Sequence, residues 1–139
     1  MAGFITTVAT LDFHLLEMAA EIEAAAQVVV ETTAEAIRQG AQANAAVDTG
    51  AMKTALYVST ATESDYASVT GEAHDLNPKA DVLDEVERPA PGEAIVAEAM
   101  SYGEYQEYGT SRMPAHPYLT PAAEAERANF LAAMEAIVK

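Results

Sequence analysis

The stretch that decides the fold runs from Leu11 to Ala46 and reads LDFHLLEMAAEIEAAAQVVVETTAEAIRQGAQANAA. Its apolar residues recur at steps of three to five, which places them on one face of an α-helix: Leu15, Met18, Ile22, Ala26, Val29, Ala34, Ile37 and Ala41. Thirty helical residues extend roughly 45 Å at about 1.5 Å per residue. We therefore predict a long N-terminal helix, of a length that often packs against partners outside its own chain.

Strand-like and turn-like segments come after this helix. Strand composition occurs at 55–61, 66–70 and 93–100. A turn signal, Asp48-Thr49-Gly50, precedes the first of these segments. Residues 72–92 contain prolines and an acidic cluster, which predicts a long functional or mobile loop with at most one helical turn at 81–87.

The C-terminal segment predicts a second helix. Thr120 is a suitable N-cap, Pro121 suits the first helical position, and the helix then runs from Ala122 to Val138. The whole chain, 1–139, is predicted as a single α+β domain with an extended arm at 1–10. The long N-terminal helix precedes a small central antiparallel sheet of about three to four strands, on which the C-terminal helix packs.

The composition excludes several classes of protein. The chain has 22 acidic and 7 basic side chains, a net charge of −15, and no cysteine. So much negative charge opposes stable binding to nucleic acid or to an anionic membrane. Without cysteine there is no disulfide and no sulfur-based metal site. Because 31 residues are alanine and alanine buries little area, the monomer's core is expected to be thin.

No motif in the chain predicts catalysis. The nucleophile-elbow, P-loop and glycine-rich dinucleotide patterns do not occur. We predict that the protein is not an enzyme and has no catalytic residue, no metal and no cofactor. The alternative hypothesis is a small cytoplasmic enzyme or regulatory module that uses His116 and the acidic residues, in which His116→Ala would abolish turnover.

The densest pattern is residues 102–122, which read YGEYQEYGTSRMPAHPYLTPA. The tyrosines recur every three residues and share a face in a helical turn, which Gly109 ends. Pro117 and Pro121 stiffen the chain between this turn and the last helix. Two interpretations stay open: the tyrosines clamp the core under the first helix, or they form an oligomer or partner interface with an arginine anchor. The predicted interface set is Tyr102, Tyr105, Tyr108, Arg112, His116 and Tyr118.

This segment resembles the signature of a phage neck family, the tail-component proteins encoded between the capsid and tail-tube genes of long-tailed phages. The matching stretches are Glu107-Tyr108-Gly109-Thr110 and Ala115-His116-Pro117-Tyr118-Leu119-Thr120-Pro121-Ala122. Upstream, Val47-Asp48-Thr49-Gly50-Ala51-Met52-Lys53 is similar to the family's turn before its first main strand. The resemblance covers 47–53 and 102–122, and the order of elements agrees along most of the chain.

The resemblance implies a structural virion protein of the head-to-tail connector, or neck, assembled in the host cytoplasm. Such proteins form homo-oligomeric rings, most often six-fold and sometimes twelve-fold. They join the portal, adaptor and stopper complex to the tail tube and let DNA pass through the channel. The alternative within this class is the tail terminator, which caps the tail tube. No membrane partner is implied.

Overall fold

The computed structural model of the chain describes residues 4–9, 19–45, 51–79 and 81–138. In chain order its elements are β1 (Phe4–Ala9), α1 (Ala19–Asn44), α2 (Ala51–Thr54), β2 (Leu56–Thr60), α3 (Tyr66–Leu76), β3 (Ala94–Glu98), α4 (Gly103–Tyr108) and α5 (Leu119–Val138). The α+β class, the long N-terminal helix and the C-terminal helix are confirmed. Two predicted features, the helix over 11–18 and the turn Asp48-Thr49-Gly50, lie outside the described residues.

The sheet is antiparallel, with β3 in the centre and the strand order β1-β3-β2. The β2–β3 ladder runs in register from Leu56 opposite Glu98 to Thr60 opposite Ala94. On its other side β3 pairs with β1, with a register shift between Thr7 and Ala9. The strand segments predicted at 55–61 and 93–100 therefore form the ladder that organises the middle of the chain.

Both faces of the β2–β3 ladder are covered. The face that carries Val96 packs against α1 and the start of α5, and we call this the first core cluster: Val30, Ala34, Ile37, Ala41, Ala45, Met52, Leu56, Ala94, Val96, Tyr118, Leu119 and Ala122. The opposite face forms the second core cluster: Ala51, Ala55, Tyr57, Ala73, Ala97, Ala99 and Met100. Of the helical stripe predicted for α1, Ala26, Ala34, Ile37 and Ala41 are buried, Ile22 and Val29 are half-buried, and Val30 is buried beside Val29. Leu15 and Met18 lie outside the described residues.

The C-terminal helix packs mainly along α1 and also contacts β1 of the sheet. Leu119 and Ala122 at its start belong to the first core cluster, and Phe130 packs against that cluster. The predicted packing on the sheet is therefore a smaller part of its contacts than its packing along α1. Small residues explain the arrangement: a Cβ added at Gly40 would lie 3.2 Å from the Cβ of Ala122. Glycine and alanine thus let the two helix backbones approach closely, and the alanine-rich core gains contact through proximity rather than through large side chains.

The segment predicted as a strand over 66–70 is instead the first half of α3. Tyr66, Val69 and Ala73 are spaced by three and four residues and all pack into the second core cluster. That helical spacing outweighs the strand propensity of tyrosine, valine and threonine. The prediction of a loop beginning at residue 72 is wrong for the same reason, because α3 continues to Leu76.

Residues 81–88, which we call the strap, cross the second core cluster as an extended chain without a helical turn. The Leu83 N–H donates to the Ala99 carbonyl oxygen at 2.7 Å. Two buried or half-buried tyrosine hydroxyls hold the strap as well: Tyr66 donates to the Leu83 carbonyl oxygen at 2.5 Å, and Tyr57 accepts from the Val86 N–H at 3.0 Å. The strap is therefore an ordered covering layer, and the helical turn that the sequence allowed at 81–87 does not form.

The outer edge of β2 is covered by residues 63–65, where the Thr60 N–H donates to the Glu63 carbonyl oxygen at 2.7 Å and the Asp65 N–H donates to the Val58 carbonyl oxygen at 3.4 Å. Asp65 accepts the Val58 N–H with Oδ1 at 2.9 Å, in the place where a neighbouring strand would pair. Its second carboxylate oxygen pairs with Arg38 of α1. Arg38 also holds Glu35 at 2.6 Å. The edge strand is thus tied to α1 through one aspartate and one arginine.

Candidate functional site

The tyrosine-rich part of the 102–122 segment forms a short helix, α4. Tyr102 immediately precedes it and packs, half-buried, against both core clusters. Tyr105 and Tyr108 are 53% and 65% exposed. The three tyrosines therefore divide: the first helps to close the core, and the other two present their rings at the surface.

A buried carboxylate, Glu107, joins α4 to the start of α5. Its Oε1 accepts the backbone N–H groups of Tyr118 and Leu119 at 2.9 and 2.8 Å, and its Oε2 accepts that of Thr120 at 3.1 Å. Pro121, the next residue, has no N–H to satisfy. One side chain thus satisfies the free donors at the beginning of α5, with its negative charge at the positive end of the helix dipole.

The hydrogen bonds at the start of α5 favour the ionised form of the Glu107 carboxyl group. Burial alone raises the pKa of Glu107, but the N–H groups of Leu119, Tyr118 and Thr120 outweigh burial and hold the pKa below its usual range. Hydrogen bonds from several donors to a carboxylate favour its charged form. Glu107 is therefore ionised in the folded protein at neutral pH.

A tight hairpin connects α4 to the start of α5. Gly109 ends α4 with a φ of +75°, and a side chain there would collide with the backbone of 113–115. The Thr110 N–H donates to the Met113 carbonyl oxygen at 2.8 Å, which leaves Arg112 exposed at the tip. The chain then returns along α4, where the His116 N–H donates to the Gln106 carbonyl oxygen at 2.7 Å.

Tyr118 enters the core from this returning chain and meets a second buried carboxyl group, Glu98 of β3. The Tyr118 hydroxyl lies 3.4 Å from Glu98 Oε2, and the Met100 N–H donates to Glu98 Oε1 at 3.1 Å. Burial raises the pKa of Glu98 well above its usual range, and these two donors offset only part of that effect. Gly103 leaves room for the pair, since a Cβ there would lie 2.3 Å from Glu98 Cγ.

The predicted interface residues therefore occupy two different environments. Tyr105, Tyr108, Arg112 and His116 are exposed, whereas Tyr118 is fully buried. The core-clamp interpretation fits Tyr102, and Tyr118 belongs to the first core cluster rather than to an exposed interface. For the exposed residues the interface stays a prediction. Among the predicted turn residues, Gly109 is confirmed by its positive φ. Pro117 is exposed in the returning chain, and Pro121 is the third residue of α5 rather than the first.

Sequence reasoning missed the roles of the two carboxyl groups. Glu107 caps residues that lie eleven to thirteen positions further along the chain, so no local capping pattern reveals it. Glu98 gives a clearer signal, because it comes after Ala94 and Val96 at the inward positions of a strand. A carboxyl group in such a position predicts burial with a hydrogen-bond partner.

The surface of this segment presents the aromatic rings of Tyr105 and Tyr108. In the described ranges no cluster of three or more histidine, aspartate or glutamate side chains is placed to hold a metal ion. No helix within those ranges has the length and apolar character needed to span a membrane. Comparison of the chain with known protein families, with curated proteins and with solved structures finds no match.

Proposed function

We propose that the protein is a structural subunit of the neck of a long-tailed phage particle. In this function copies of the chain form a ring between the portal, adaptor and stopper complex and the tail tube, and DNA passes through the ring. The proposal rests on the resemblance at 47–53 and 102–122 and on the α+β fold that surrounds the second of these segments.

One observation carries the proposal. The two halves of the 102–122 motif meet in space, because Glu107 from the first half binds the backbone of Tyr118, Leu119 and Thr120 in the second half. Gly109 provides the turn between them. Both carboxylate oxygens of Glu107 thus form hydrogen bonds inside the subunit. This is expected of a motif that maintains a shape and presents a surface.

The charge supports the proposed role in DNA passage. A subunit with a net charge of −15 repels the phosphate backbone, so a ring of such subunits lets DNA slide without holding it. We expect no binding of the purified protein to duplex DNA by fluorescence anisotropy at about 0.15 M salt. Tight binding under those conditions contradicts the proposal.

The decisive experiment removes the chain from a phage that encodes it. We expect a stop codon in its gene to give filled heads and finished tails that fail to join, as seen by electron microscopy, with joining restored when the chain is supplied in trans. Normal infectious particles would refute the proposal. Tails of uncontrolled length would instead identify the alternative, a tail terminator.

A further inference from the structure

We propose that Glu98 is a proton-controlled latch on α4. With its carboxyl group neutral, Glu98 keeps α4 closed over the core; when the proton passes to water, α4 opens while the rest of the domain stays folded. The latch is a property of the single chain and does not depend on the proposed neck function. Its effect reaches the surface, because α4 carries the exposed rings of Tyr105 and Tyr108.

Glu98 is bonded to both ends of the segment that contains α4. The Met100 N–H, just before this segment, donates to Glu98 Oε1 at 3.1 Å. The Tyr118 hydroxyl, just after it, lies 3.4 Å from Glu98 Oε2. One carboxyl group therefore ties the chain at both ends of 101–117 to β3, and a change at that group acts on both ends together.

The first turn of α4 forms part of the cover over Glu98. Gly103 lies so close that a Cβ there would collide with Glu98 Cγ and with the Tyr118 hydroxyl. Glu98 is only 2% exposed, so its carboxyl group has lost almost all of its hydration. Displacement of α4 is therefore a direct way for water to reach the carboxyl group.

A negative charge at Glu98 has little to stabilise it while α4 is closed. Its two hydrogen bonds replace only part of the lost hydration. In the part of the chain that the structure describes, no lysine, arginine or histidine pairs with it. Burial accordingly raises the pKa of Glu98 well above its usual range, and ionisation favours a structure in which the group is hydrated.

The elements around Glu98 also oppose a second negative charge. Glu107 is ionised and accepts the Tyr118 N–H, so two carboxyl groups act on one tyrosine. Tyr102, which precedes α4, is the other titratable side chain that acts on Tyr118 among the described residues. β1 and β2 each place an apolar residue opposite Glu98, and α1 contributes only apolar side chains to the first core cluster. None of these groups offsets the charge of an ionised Glu98.

The attachment of α4 explains why the opening is local. Among the described helices, α4 alone lacks extensive packing against another helix or strand. It is held by half-buried Tyr102, by the Glu107 cap and by the bond from the His116 N–H to the Gln106 carbonyl oxygen. Segments with few buried contacts open at lower free energy than the core they cover.

Two carboxyl groups of opposite protonation therefore hold α4 closed. The Glu107 cap requires the ionised form and weakens in acid, whereas the Glu98 latch requires the neutral form and weakens as the pH rises. Between the ordinary carboxyl pKa and the folded value of Glu98, the closed form binds one proton more than the open form. The equilibrium constant for opening should thus rise about tenfold per pH unit across this range and then level off.

Hydrogen exchange read by mass spectrometry measures the opening. Amides of 105–109, which bond within α4, are compared with those of α1 between about pH 5 and 9, after correction for the chemical exchange rate. In the wild type we expect protection of 105–109 to fall about tenfold per pH unit before it levels off. Complete unfolding also frees Glu98, so α1 falls in parallel but stays at least about a hundredfold better protected.

Matched variants assign the effect to one carboxyl group. Glu98→Gln is neutral at every pH and keeps an acceptor oxygen, so protection of 105–109 should stay level. Glu104→Gln makes the same substitution on α4 itself and should retain the wild-type fall. Circular dichroism melts check that both variants fold.

Three results would overturn the latch. Level protection in the wild type removes the pH dependence, and a fall shared by Glu98→Gln assigns it to another group. Equal protection of 105–109 and α1 shows that only the whole domain opens. If Glu98→Gln fails to fold, carbon-13 NMR of the wild type follows the Glu98 carboxyl group directly. Its titration must coincide with the pH at which the fall in protection stops, and a mismatch also overturns the latch.

Discussion

Replacement of Glu107 by alanine is the most informative single change, because the carboxylate satisfies three backbone donors at once. Loss of a helix cap costs about 1–2 kcal/mol. Two of the donors, on Tyr118 and Leu119, belong to fully buried residues, and a buried donor left unsatisfied costs about 1–3 kcal/mol. Because water and local relaxation recover part of this, we expect Glu107→Ala to lower the free energy of unfolding by about 3–5 kcal/mol. That is a large share of the roughly 5–15 kcal/mol that stabilises a domain.

Urea unfolding monitored by circular dichroism measures this loss as a lower midpoint at an unchanged slope. Glu107→Gln keeps one acceptor oxygen but removes the charge, so we expect roughly half the effect. Glu104→Gln is the control: it makes the same substitution on α4 at a half-buried position, and a change within about 0.5 kcal/mol is expected. A loss below about 1 kcal/mol for Glu107→Ala, or an equal loss for Glu104→Gln, would refute the reasoning.

The pH dependence gives an independent check on the same residue. Because the pKa of Glu107 is lower in the folded state, its stabilising contribution is present above the ordinary carboxyl pKa and is lost as the pH falls through the folded value. The difference in stability between the wild type and Glu107→Ala should therefore shrink in acid. A difference that stays constant across this range shows that the ionised carboxylate is not what caps α5.

Three further predictions concern the core. Burial raises the pKa of Glu98 in the folded protein, so its contribution to stability is complete below the ordinary carboxyl pKa and is lost as the pH rises through the folded value. Glu98→Gln should therefore lose less thermal stability than the wild type as the pH rises above the ordinary carboxyl pKa, and equal losses contradict this. Ser59 Oγ is buried without a hydrogen-bond partner in the described part of the chain, so Ser59→Ala should leave urea stability unchanged or raise it by up to about 1 kcal/mol. Ser64→Ala, which removes an acceptor for the first N–H of α3, should lower the free energy of unfolding by about 0.5–1 kcal/mol. A larger loss for Ser59→Ala than for Ser64→Ala contradicts this reasoning. Gly103→Ala should cost about 1–3 kcal/mol through its clash with Glu98. Gly71→Ala, with nothing within 4 Å inside α3, should gain up to about 1 kcal/mol in the same urea assay, and an equal response of the two glycines contradicts this.

Local patterns were enough to predict much of the fold. The buried stripe of α1 can be read from the spacing of apolar residues alone, and β2 and β3 from composition between turn signals. The misassigned segment at 66–70 shows where composition fails, because there a helical spacing that starts at Tyr66 and continues to Ala73 decides the structure. The strap was beyond prediction for another reason: its order depends on hydroxyl groups of Tyr57 and Tyr66, which are distant in sequence.

The motif at 102–122 marks a segment that folds as one unit, but its internal contacts cannot be read from the sequence. Gly109 ends α4 with the positive φ that suits a sharp turn. The sequence could not predict that Tyr102 packs against the core while Tyr105 and Tyr108 are exposed, because this depends on which side of α4 faces the core. The capping role of Glu107 could not be predicted either, since α5 begins beyond an intervening hairpin whose path brings the two together.

The blocked edge of β2 has a consequence for the life of the free subunit. In the function proposed above, copies of the chain accumulate in the cell before they assemble, and an open strand edge would then allow copies to pair and aggregate. The backbone of residues 63–65 and the Asp65 carboxylate close this edge, and Arg38 binds that carboxylate. Loss of either side chain therefore threatens the soluble pool of subunits more than it threatens the shape of any one of them.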